Sequence, residues 1–572
     1  MEKYIIPLQL EGFWVRILVA LLWGYIMKAF YKKIVEVNEE RIPILKASLY
    51  DDENSIFYGG YKNANGLAEQ YATLSQAMHC TATYFCKDSK YYKDESVMDL
   101  INSFLDFYLN TVRENGTGDC LISDFFTPSS FEGINVARTY KIFAKYAESD
   151  TEKLAQDKVY QVMEVLGNGL INGGHRTPNH RWMMAASAAN IYNITGNDEL
   201  KALAERYLNE GIDIDEYGEF TERSPGMYNE VNDNAFFELA RELKRDDIYD
   251  VLKANMDLLF KYIEPDGTIF TQNSARKDKG ENDPGMAFYP TRYFYIYLQG
   301  AYFMKDSRYA AFAHQVMEQT IKYGRAVPDV LWLYILYDEL QEYEPKIGTL
   351  VKNYEMYNPV SSIYRKVEDD FSISIIGNNA NFMFLQKGDL KCYVRLCASF
   401  FMLAQFKPVK VIRDGDELVL TFSAEDKYWK AFDEKPPTSV WKEMDHSARN
   451  TCNPQKLTIT ARVKITGTTI DMKINTEGTD RVPFKAEFVV TGGSSITGEF
   501  FSVKGVPGQD IMPHQGMVNI KYKKDEINIG PAFKEHTYTT NMRGSVGKSS
   551  RGYTIYFTDY TNLDRNIKIE CK

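Results

Sequence analysis

The sequence of 572 residues is too long for one ordinary hydrophobic core, so two or more domains are expected. Hydrophobic residues make up 44% and charged residues 25% of the chain, which is typical of a globular protein and excludes a disordered or fibrous one. The net charge of −11 argues against DNA or RNA as the main partner, because no overall basic field exists to attract phosphates.

The first segment to assign is an uncharged apolar stretch at residues 17–27. It is too short to span a bilayer comfortably. Glu2 and Glu11 precede it, where a signal peptide would carry a basic start. We therefore predict a packed N-terminal helix, no stable membrane span and a cytoplasmic protein, with an uncleaved anchor as the alternative.

Residues 60–341 carry an apolar pattern of helical period, interrupted by short polar loops. The clearest helices are expected at 97–112, 136–147, 159–170, 182–192, 200–208, 235–243, 251–262 and 292–304. Because the scattered cysteines, seven in number, include no CxxC pair or zinc motif, we expect reduced, mostly buried thiols and neither a metal nor a cofactor.

Four predicted helices open with a capping residue followed by proline, at Thr127-Pro128, Thr177-Pro178, Ser224-Pro225 and Asp283-Pro284. Proline suits the first helical position because its missing N–H would be unsatisfied there anyway. The prolines are 50, 47 and 59 residues apart, which fits a repeat of two helices and two loops. A ring of such hairpins places every second helix inside and gathers the inner N-termini at one rim, where their dipoles favour an anionic substrate. Four unrelated helix starts are the alternative.

After residue 357 the pattern changes to short alternating runs separated by Gly, Asp and Asn turns, which is typical of an antiparallel β-sandwich. Strands are expected at 372–376, 418–422, 457–463, 469–474, 484–490 and 553–557, and a linker at 342–358. The predicted fold is multidomain: an α/α toroid, or incomplete helical barrel, over residues 1–345, followed by an antiparallel β-sandwich over residues 346–572.

The densest group of potential site residues is Gly-Gly-His-Arg-Thr-Pro-Asn-His-Arg-Trp at residues 173–182. If a helix opens at its Thr-Pro pair, Asn179 and His180 lie in the first turn, at the rim where the dipole is positive. An amide and an imidazole so placed, with arginines beside them, can hold and neutralise a carboxylate. A capping asparagine and a structural histidine are the alternative.

A second motif, Glu-Phe-Thr-Glu-Arg-Ser-Pro-Gly-Met-Tyr-Asn at residues 219–229, places Tyr228 in the first turn of the next inner helix. The two helices would be neighbours in the ring, so their first turns should converge. A tyrosine beside a cationic cluster has a lowered pKa and can exchange a proton. A core or sugar-stacking tyrosine is the alternative. A third segment, residues 273–280, offers Arg276 on a loop at the same rim, or is simply a solvated run of charges.

Together these segments resemble the heparinase II/III-like and alginate-lyase-like polysaccharide lyases, which join an α/α toroid to an antiparallel β-sandwich. The resemblance is carried by Asn179-His180 and by Tyr228 within residues 222–228; residues 123–128 also look like the family's early cleft motif. It covers essentially the whole chain in architecture but only these short segments in motif.

The resemblance implies that Asn179 neutralises a uronate carboxylate, that His180 is the base or orients it, and that Tyr228 is the acid, or both acid and base. Family members often add a histidine from the sandwich, for which the candidates are His446, His514 and His536. The side chains expected to contact substrate are Arg176, Arg181, Trp182, Glu222, Arg276, Asp124 and Tyr289.

The predicted function is therefore cleavage of a uronic-acid-containing glycan by β-elimination, which leaves an unsaturated uronate. The proton at C5 becomes acidic only when the adjacent carboxylate is neutralised, and hydrogen-bond donors stabilise the enolate-like intermediate. One alternative is a glycoside hydrolase on the same toroid, which needs two carboxyl groups across the scissile bond; Glu222, Asp124 and Asp233 are available. Another is a non-catalytic glycan-binding protein.

Overall fold

The protein is described by a computed structural model that covers residues 13–118, 127–279, 287–492 and 495–572, with side chains in these ranges except at 13–26 and 127–130. The chain forms two compact units. One contains Met1–Phe260 and Tyr289–Leu350, and the other contains Lys261–Phe288 and Val351–Lys572. The sequence indicated a single boundary near residue 345 and did not indicate that Lys261–Phe288 packs with the second unit.

The first unit is helical, as predicted. Its helices are α1 (Phe13–Ala47), α2 (Gln70–Phe85), α3 (Glu95–Thr111), α4 (Thr127–Tyr146), α5 (Asp150–Asn172), α6 (Pro178–Thr195), α7 (Asp198–Asn209), α8 (Tyr228–Glu242), α9 (Ile248–Phe260), α10 (Phe294–Phe303), α11 (Ser307–Lys322) and α12 (Leu331–Leu336). The apolar stretch near the N-terminus lies within α1, and no helix in the described part of the chain is long and apolar enough to cross a membrane.

Helices α2, α4, α6, α8 and α10 pack one on the next, and α3, α5, α7, α9 and α11 pack against them as the second members of hairpins. Burial follows this division. Helix α6 is buried at every position from 182 to 191, whereas α7 buries a single stripe of five residues. The predicted toroid of inner and outer helices is confirmed, and the inner helices begin at a common rim because every hairpin returns the chain to it.

The proline starts are confirmed in part. Helix α6 begins at Pro178 after Thr177, and α4 begins at Thr127. The prediction at Ser224-Pro225 is wrong, because α8 begins only at Tyr228. The backbone carbonyl of Ser224 accepts from the N–H groups of residues 227, 228 and 229, so the chain turns once more before the helix starts. The fourth pair, residues 283–284, lies outside the described residues.

A buried ionic network joins the inner helices. Glu238 on α8 accepts from Arg138 on α4 and from Arg241, each at 2.7 Å. Asn190 on α6 donates to the same carboxylate at 3.3 Å, and Arg241 donates to Gln299 on α10 at 2.8 Å. Burial alone would raise the pKa of Glu238, but Arg241 and Arg138 hold it well below its usual range. The network therefore links four inner helices through charged groups that have little access to water.

The second unit contains two sheets. Their strands are β1 (Tyr354–Asn358), β2 (Ile363–Glu368), β3 (Phe371–Ile376), β4 (Met383–Lys387), β5 (Leu390–Ala398), β6 (Val411–Asp414), β7 (Glu417–Trp429), β8 (Thr451–Thr466), β9 (Thr469–Gly478), β10 (Pro483–Thr491), β11 (Ser495–Thr497), β12 (Ser502–Lys504), β13 (Asp510–Ile511), β14 (Val518–Tyr522), β15 (Asp525–Gly530), β16 (Tyr553–Tyr560) and β17 (Asp564–Cys571). The predicted linker at 342–358 is cut short, because β1 already begins at Tyr354.

One sheet has the order β1-β2-β3-β4-β5-β10-β16-β13 and the other β12-β11-β14-β15-β17-β9-β8-β7-β6. All named pairs are antiparallel except β13 beside β16. A single apolar cluster draws residues from both sheets, so the predicted antiparallel sandwich is confirmed. The predicted cysteine chemistry agrees with the described residues, where six free cysteines are found and all but Cys452 are buried.

The eight-stranded sheet is buried on both faces. Strands β3, β5, β10 and β16 are buried at nearly every position, whereas the central part of β8 alternates. The segment Lys261–Phe288 covers part of the second face. Phe270 lies edge-on to Phe384 at 5.4 Å, and Arg365 donates to the carbonyl of Lys261 at 3.0 Å and to Glu264 at 3.2 Å.

Candidate active site at the starts of two inner helices

The start of α6 carries two of the predicted catalytic side chains. Asn179 and His180 are the second and third residues of this helix, as predicted. The buried amide of Asn179 donates from Nδ2 to both carboxylate oxygens of Glu222, at 2.8 and 3.0 Å, and to Thr177 Oγ1 at 3.0 Å. The backbone N–H of Asn179 also donates to Glu222, at 3.1 Å. Glu222 therefore caps α6 from another segment of the chain.

This arrangement bears on the role predicted for Asn179. Its Nδ2 group is bound to a carboxylate of the protein itself. Its buried Oδ1 atom has no hydrogen-bond partner among the described residues, and an acceptor oxygen would repel a substrate carboxylate. Neutralising a uronate would require the amide to leave Glu222. That role stays a prediction, whereas the structure gives Asn179 the task of positioning Glu222.

We expect Asn179→Ala to lower the free energy of unfolding by about 2 kcal/mol, because Glu222 would lose its amide donor while staying buried. Denaturant unfolding measures the change. The matched control is Asn193→Ala near the other end of α6, where an exposed amide donates to the backbone carbonyl and carboxylate of Glu242 at 2.8 and 2.9 Å. Equal losses in the two variants would contradict a special role for the buried pair.

Glu222 is held by a short hairpin, in which Ile214 pairs with Phe220. At its tip Gly218 has φ +86, and a Cβ atom there would lie 2.4 Å from the carbonyl oxygen of Ala254, so glycine is required. Immediately after Glu222, Arg223 adopts φ +46, a left-handed conformation that is uncommon for a residue with a side chain. Such conformations cluster at functional sites.

Tyr228 is the first residue of α8. Its backbone N–H donates to the carbonyl of Ser224 at 3.0 Å and to Ser224 Oγ at 3.2 Å, which fixes the turn that leads into the helix. The phenol is partly buried. Because α6 and α8 are neighbours in the ring, His180 and Tyr228 lie in the first turns of adjacent inner helices, as predicted. The imidazole of His180, also partly buried, meets Phe131 edge-on at 5.5 Å.

A pocket of about 290 Å3 lies beside the start of α6. Arg176 is exposed and lines it together with His175, Asp213 and Thr221. Burial and the nearby Arg181 lower the pKa of His175. The pocket therefore offers one exposed guanidinium next to the helix start. Contact of Arg176 with a substrate stays a prediction.

Two predicted substrate contacts have structural roles instead. Trp182 is 0% exposed; its indole N–H donates to Asp213 at 2.6 Å and its ring packs on Phe236 at 4.8 Å, so the prediction of a substrate contact is wrong. Arg181 donates from Nη2 to the carbonyls of Tyr207 and Gly211 at the end of α7, so this arginine binds a helix end of the protein itself.

The remaining candidates are dispersed. Asp124 lies outside the described residues. Arg276 belongs to Lys261–Phe288, which packs in the sheet unit. Tyr289 is the first residue of the second stretch of the helical unit, and it is 40% exposed. In that unit Tyr289 carries the guanidinium of Arg325 on its ring, 3.6 Å from the centroid.

The three sandwich histidines occupy different surroundings in the sheet unit. His446 lies on the loop between β7 and β8, with its ring 3.9 Å from that of Trp441. His514 is exposed, 3.1 Å from the ammonium of Lys534. His536 lies 3.0 Å from two backbone carbonyls. A contribution from any of them to the site stays a prediction.

No family model matches the sequence, and no curated protein sequence matches it either. The structure aligns over 95% of the chain with a xanthan lyase of Paenibacillus, at a TM-score of 0.61 and 11% identity. It aligns over 96% of the chain with a chondroitin AC lyase of Streptomyces coelicolor A3, at a TM-score of 0.58 and 10% identity, covering 82% of that chain. It aligns over 87% of the chain with a heparinase III, at a TM-score of 0.52 and 10% identity, covering 76% of that chain.

The chain has the fold of these polysaccharide lyases. It spans only 57% of the length of the xanthan lyase chain. At such low identity the likeness establishes the shared lyase fold, and the chemistry has to be argued from the side chains.

Within this lyase fold, α8 also buries two carboxyl groups, Glu230, which no motif singled out, and Asp233, which was a candidate only for hydrolysis. Glu230 pairs with Arg292 at 3.0 Å and accepts from the phenol of Tyr295. Asp233 is 1% exposed, and neither of its oxygens has a hydrogen-bond partner among the described residues. Burial and the neighbouring Glu230 raise the pKa of Asp233 well above its ordinary value. The polar run at residues 229–234 inside an inner helix was the signal that could have located this cluster.

Proposed function

We propose that the protein is a polysaccharide lyase that cleaves a uronic-acid-containing glycan by β-elimination. The observation that carries the proposal is the placement of Tyr228 and His180 in the first turns of adjacent inner helices, at one rim of the toroid. The lyase fold supports it, since two of the similar structures are named for xanthan and chondroitin.

In the proposed reaction, His180 removes the proton from C5 of the uronate. The electron pair left at C5 forms the C4–C5 double bond as the bond from C4 to the glycosidic oxygen breaks. Tyr228 donates its proton to that oxygen, so one proton leaves the substrate and one returns. Stabilisation of the enolate-like intermediate requires donors aimed at the carboxylate. Arg176 is exposed beside the start of α6 and is the candidate for this contact, with Asn179 as a second candidate if it releases Glu222.

The hydrolase alternative is weakened by its own carboxyl groups. Glu222 is 4% exposed and both of its oxygens accept from the side-chain amide of Asn179, and Asp233 is buried. A hydrolase needs two carboxyl groups that flank the scissile bond and reach the substrate.

We therefore expect Glu222→Gln to retain at least about a tenth of parental turnover, because weakening a hydrogen bond that only positions a neighbouring group costs on the order of 1 kcal/mol. The free energy of unfolding should fall as the charged cap of α6 is weakened. Steady-state rates and denaturant unfolding are measured together. Complete loss of turnover in a variant as stable as the parent would favour hydrolysis instead.

The decisive assay is a panel of uronate glycans, namely alginate, glycosaminoglycans and xanthan, scored for ultraviolet absorbance of the unsaturated product. Appearance of that absorbance with one of them supports elimination. New reducing ends without absorbance would indicate hydrolysis, and binding without either would indicate a glycan-binding protein.

A further inference from the structure

A cation held between two exposed aromatic rings lies at the edge of the helical unit. The guanidinium carbon of Arg325 is 3.6 Å from the ring centroid of Tyr289 and 4.9 Å from that of Tyr323. Both tyrosines are exposed, Tyr289 by 40% and Tyr323 by 59%. The face of an aromatic ring attracts a guanidinium electrostatically, which helps to hold the arginine in place.

The backbone places Arg325 firmly. Helix α11 ends at Lys322, and Gly324 follows with φ +58, the left-handed conformation that terminates helices. The N–H of Gly324 donates to the carbonyl of Ile321 at 3.2 Å, and that of Arg325 donates to the carbonyl of Thr320 at 2.9 Å. The arginine therefore leaves the helix end in a defined direction, and little conformational freedom would be lost when it binds a ligand.

The charge of Arg325 is available for a ligand. Within the described ranges, no carboxylate forms an ion pair with it. Arg308 also lies over an aromatic ring. Unlike Arg325, it is paired with Asp306 at 2.6 Å and with Asp257 at 3.0 Å. A guanidinium whose central carbon lies over a ring can still direct N–H groups at a carboxylate or a sulfate and bind it in a bidentate manner.

The cluster lies at the same rim as the proposed reacting groups. Tyr289 directly precedes the turn Pro290–Tyr293 that opens the inner helix α10. Arg292 in this turn bonds Glu230 at 3.0 Å, in the first turn of α8 and two residues after Tyr228. Tyr289 can lie at most about 11 Å along the chain from Arg292. Tyr289 is therefore near the rim at which α8 and α10 begin.

We propose that Tyr289, Tyr323 and Arg325 form a subsite for one acidic sugar residue, displaced along the glycan from the residue that reacts at Tyr228. A tyrosine face would stack on the sugar ring, and the guanidinium would bind its carboxylate or sulfate. The inference rests on the proposed function, because it takes the same glycan as ligand. It assigns a length requirement to the substrate, since a chain too short to reach the subsite gains nothing from it.

The test uses calorimetric binding of disaccharides and hexasaccharides of alginate, chondroitin sulfate and heparan sulfate to the full-length protein. For the hexasaccharide that the parent binds best, Arg325→Ala should weaken affinity about tenfold, the effect of removing one charge-assisted hydrogen bond. The affinity of Arg325→Lys should lie between those of the parent and of Arg325→Ala, because an ammonium cannot bind in a bidentate manner. Disaccharide binding should not change. With a hexasaccharide whose acidic groups have been reduced or removed, the effect of Arg325→Ala should vanish while that of Tyr289→Ala persists.

The matched control is Lys305→Ala, since Lys305 lies over the ring of Tyr302 at 4.5 Å beyond the opposite end of α10. It should leave every affinity unchanged. The inference is overturned if Arg325→Ala binds all hexasaccharides as the parent does, or if the parent binds none. The proposed reaction fails by a separate result. Binding that depends on Arg325, without any unsaturated product, would overturn the lyase reaction and support the subsite. Formation of unsaturated product with no dependence of binding on Arg325 would support the lyase reaction and overturn the subsite.

Discussion

Replacing Tyr228 by phenylalanine is expected to lower turnover by roughly 100-fold or more while substrate binding persists, because the ring is kept and only the transferable proton is lost. The phenol stands at the first position of α8, next to the start of α6, so its removal leaves both helix starts intact. The measurement is the initial rate of unsaturated-product formation together with direct binding of the same glycan.

Tyr192→Phe is the matched control, since this tyrosine lies near the far end of α6, away from the common rim. It should react at the parental rate. If Tyr228→Phe turns over at a rate close to that of the parent, the phenol takes no part in the mechanism.

The largest effect on stability is expected from Glu238→Ala. Arg138 and Arg241 would keep their buried charges and lose the carboxylate between them, and breaking a buried pair in this way typically costs about 3–5 kcal/mol. Denaturant unfolding gives the difference. Glu205→Ala is the control, because its partner Lys201 is 3.9 Å away on the exposed face of α7 and such pairs contribute less than about 1 kcal/mol.

The same carboxylate predicts a dependence on pH. Its pKa is lowered in the fold, so the unfolded chain binds the proton more readily and the stabilisation is present above the unfolded value of about 4.3. The free energy of unfolding should therefore decline as the pH falls below about 4. The decline should be shallower in Glu238→Gln, which has no proton to take up at this position. Parallel profiles in the two proteins would assign the acid sensitivity to other groups.

The order of elements was predictable because it depends on local periodicity. The helices and strands named from the sequence are present, and the starts of α6 and α8 place Asn179, His180 and Tyr228 at one rim as expected. Such positions follow from spacing along the chain, since one helical hairpin separates the start of α6 from the start of α8. Pro225 shows the limit, because the tight turn at Ser224 delays the helix by three residues in a way that composition does not reveal.

The partners of these side chains could not be predicted, because they are brought together by tertiary packing. The bond between Asn179 and Glu222 joins residues 43 positions apart, and nothing near either one indicates the other. Trp182 follows His180 by two residues, but it is 0% exposed whereas His180 is only partly buried, because the two side chains lie on different faces of α6. Proximity in sequence was therefore a poor guide to exposure.

The excursion of the chain at Lys261–Phe288 limits how this protein can be rearranged. The polypeptide passes between its two units three times, after Phe260, after Phe288 and after Leu350. A fragment ending at residue 345 would carry Phe270 without Phe384, and one starting at residue 346 would leave Arg365 without Glu264. No single junction separates the halves, so a sandwich with another specificity cannot be exchanged onto this toroid by one crossover. An exchange would have to include this segment together with the strands that it covers.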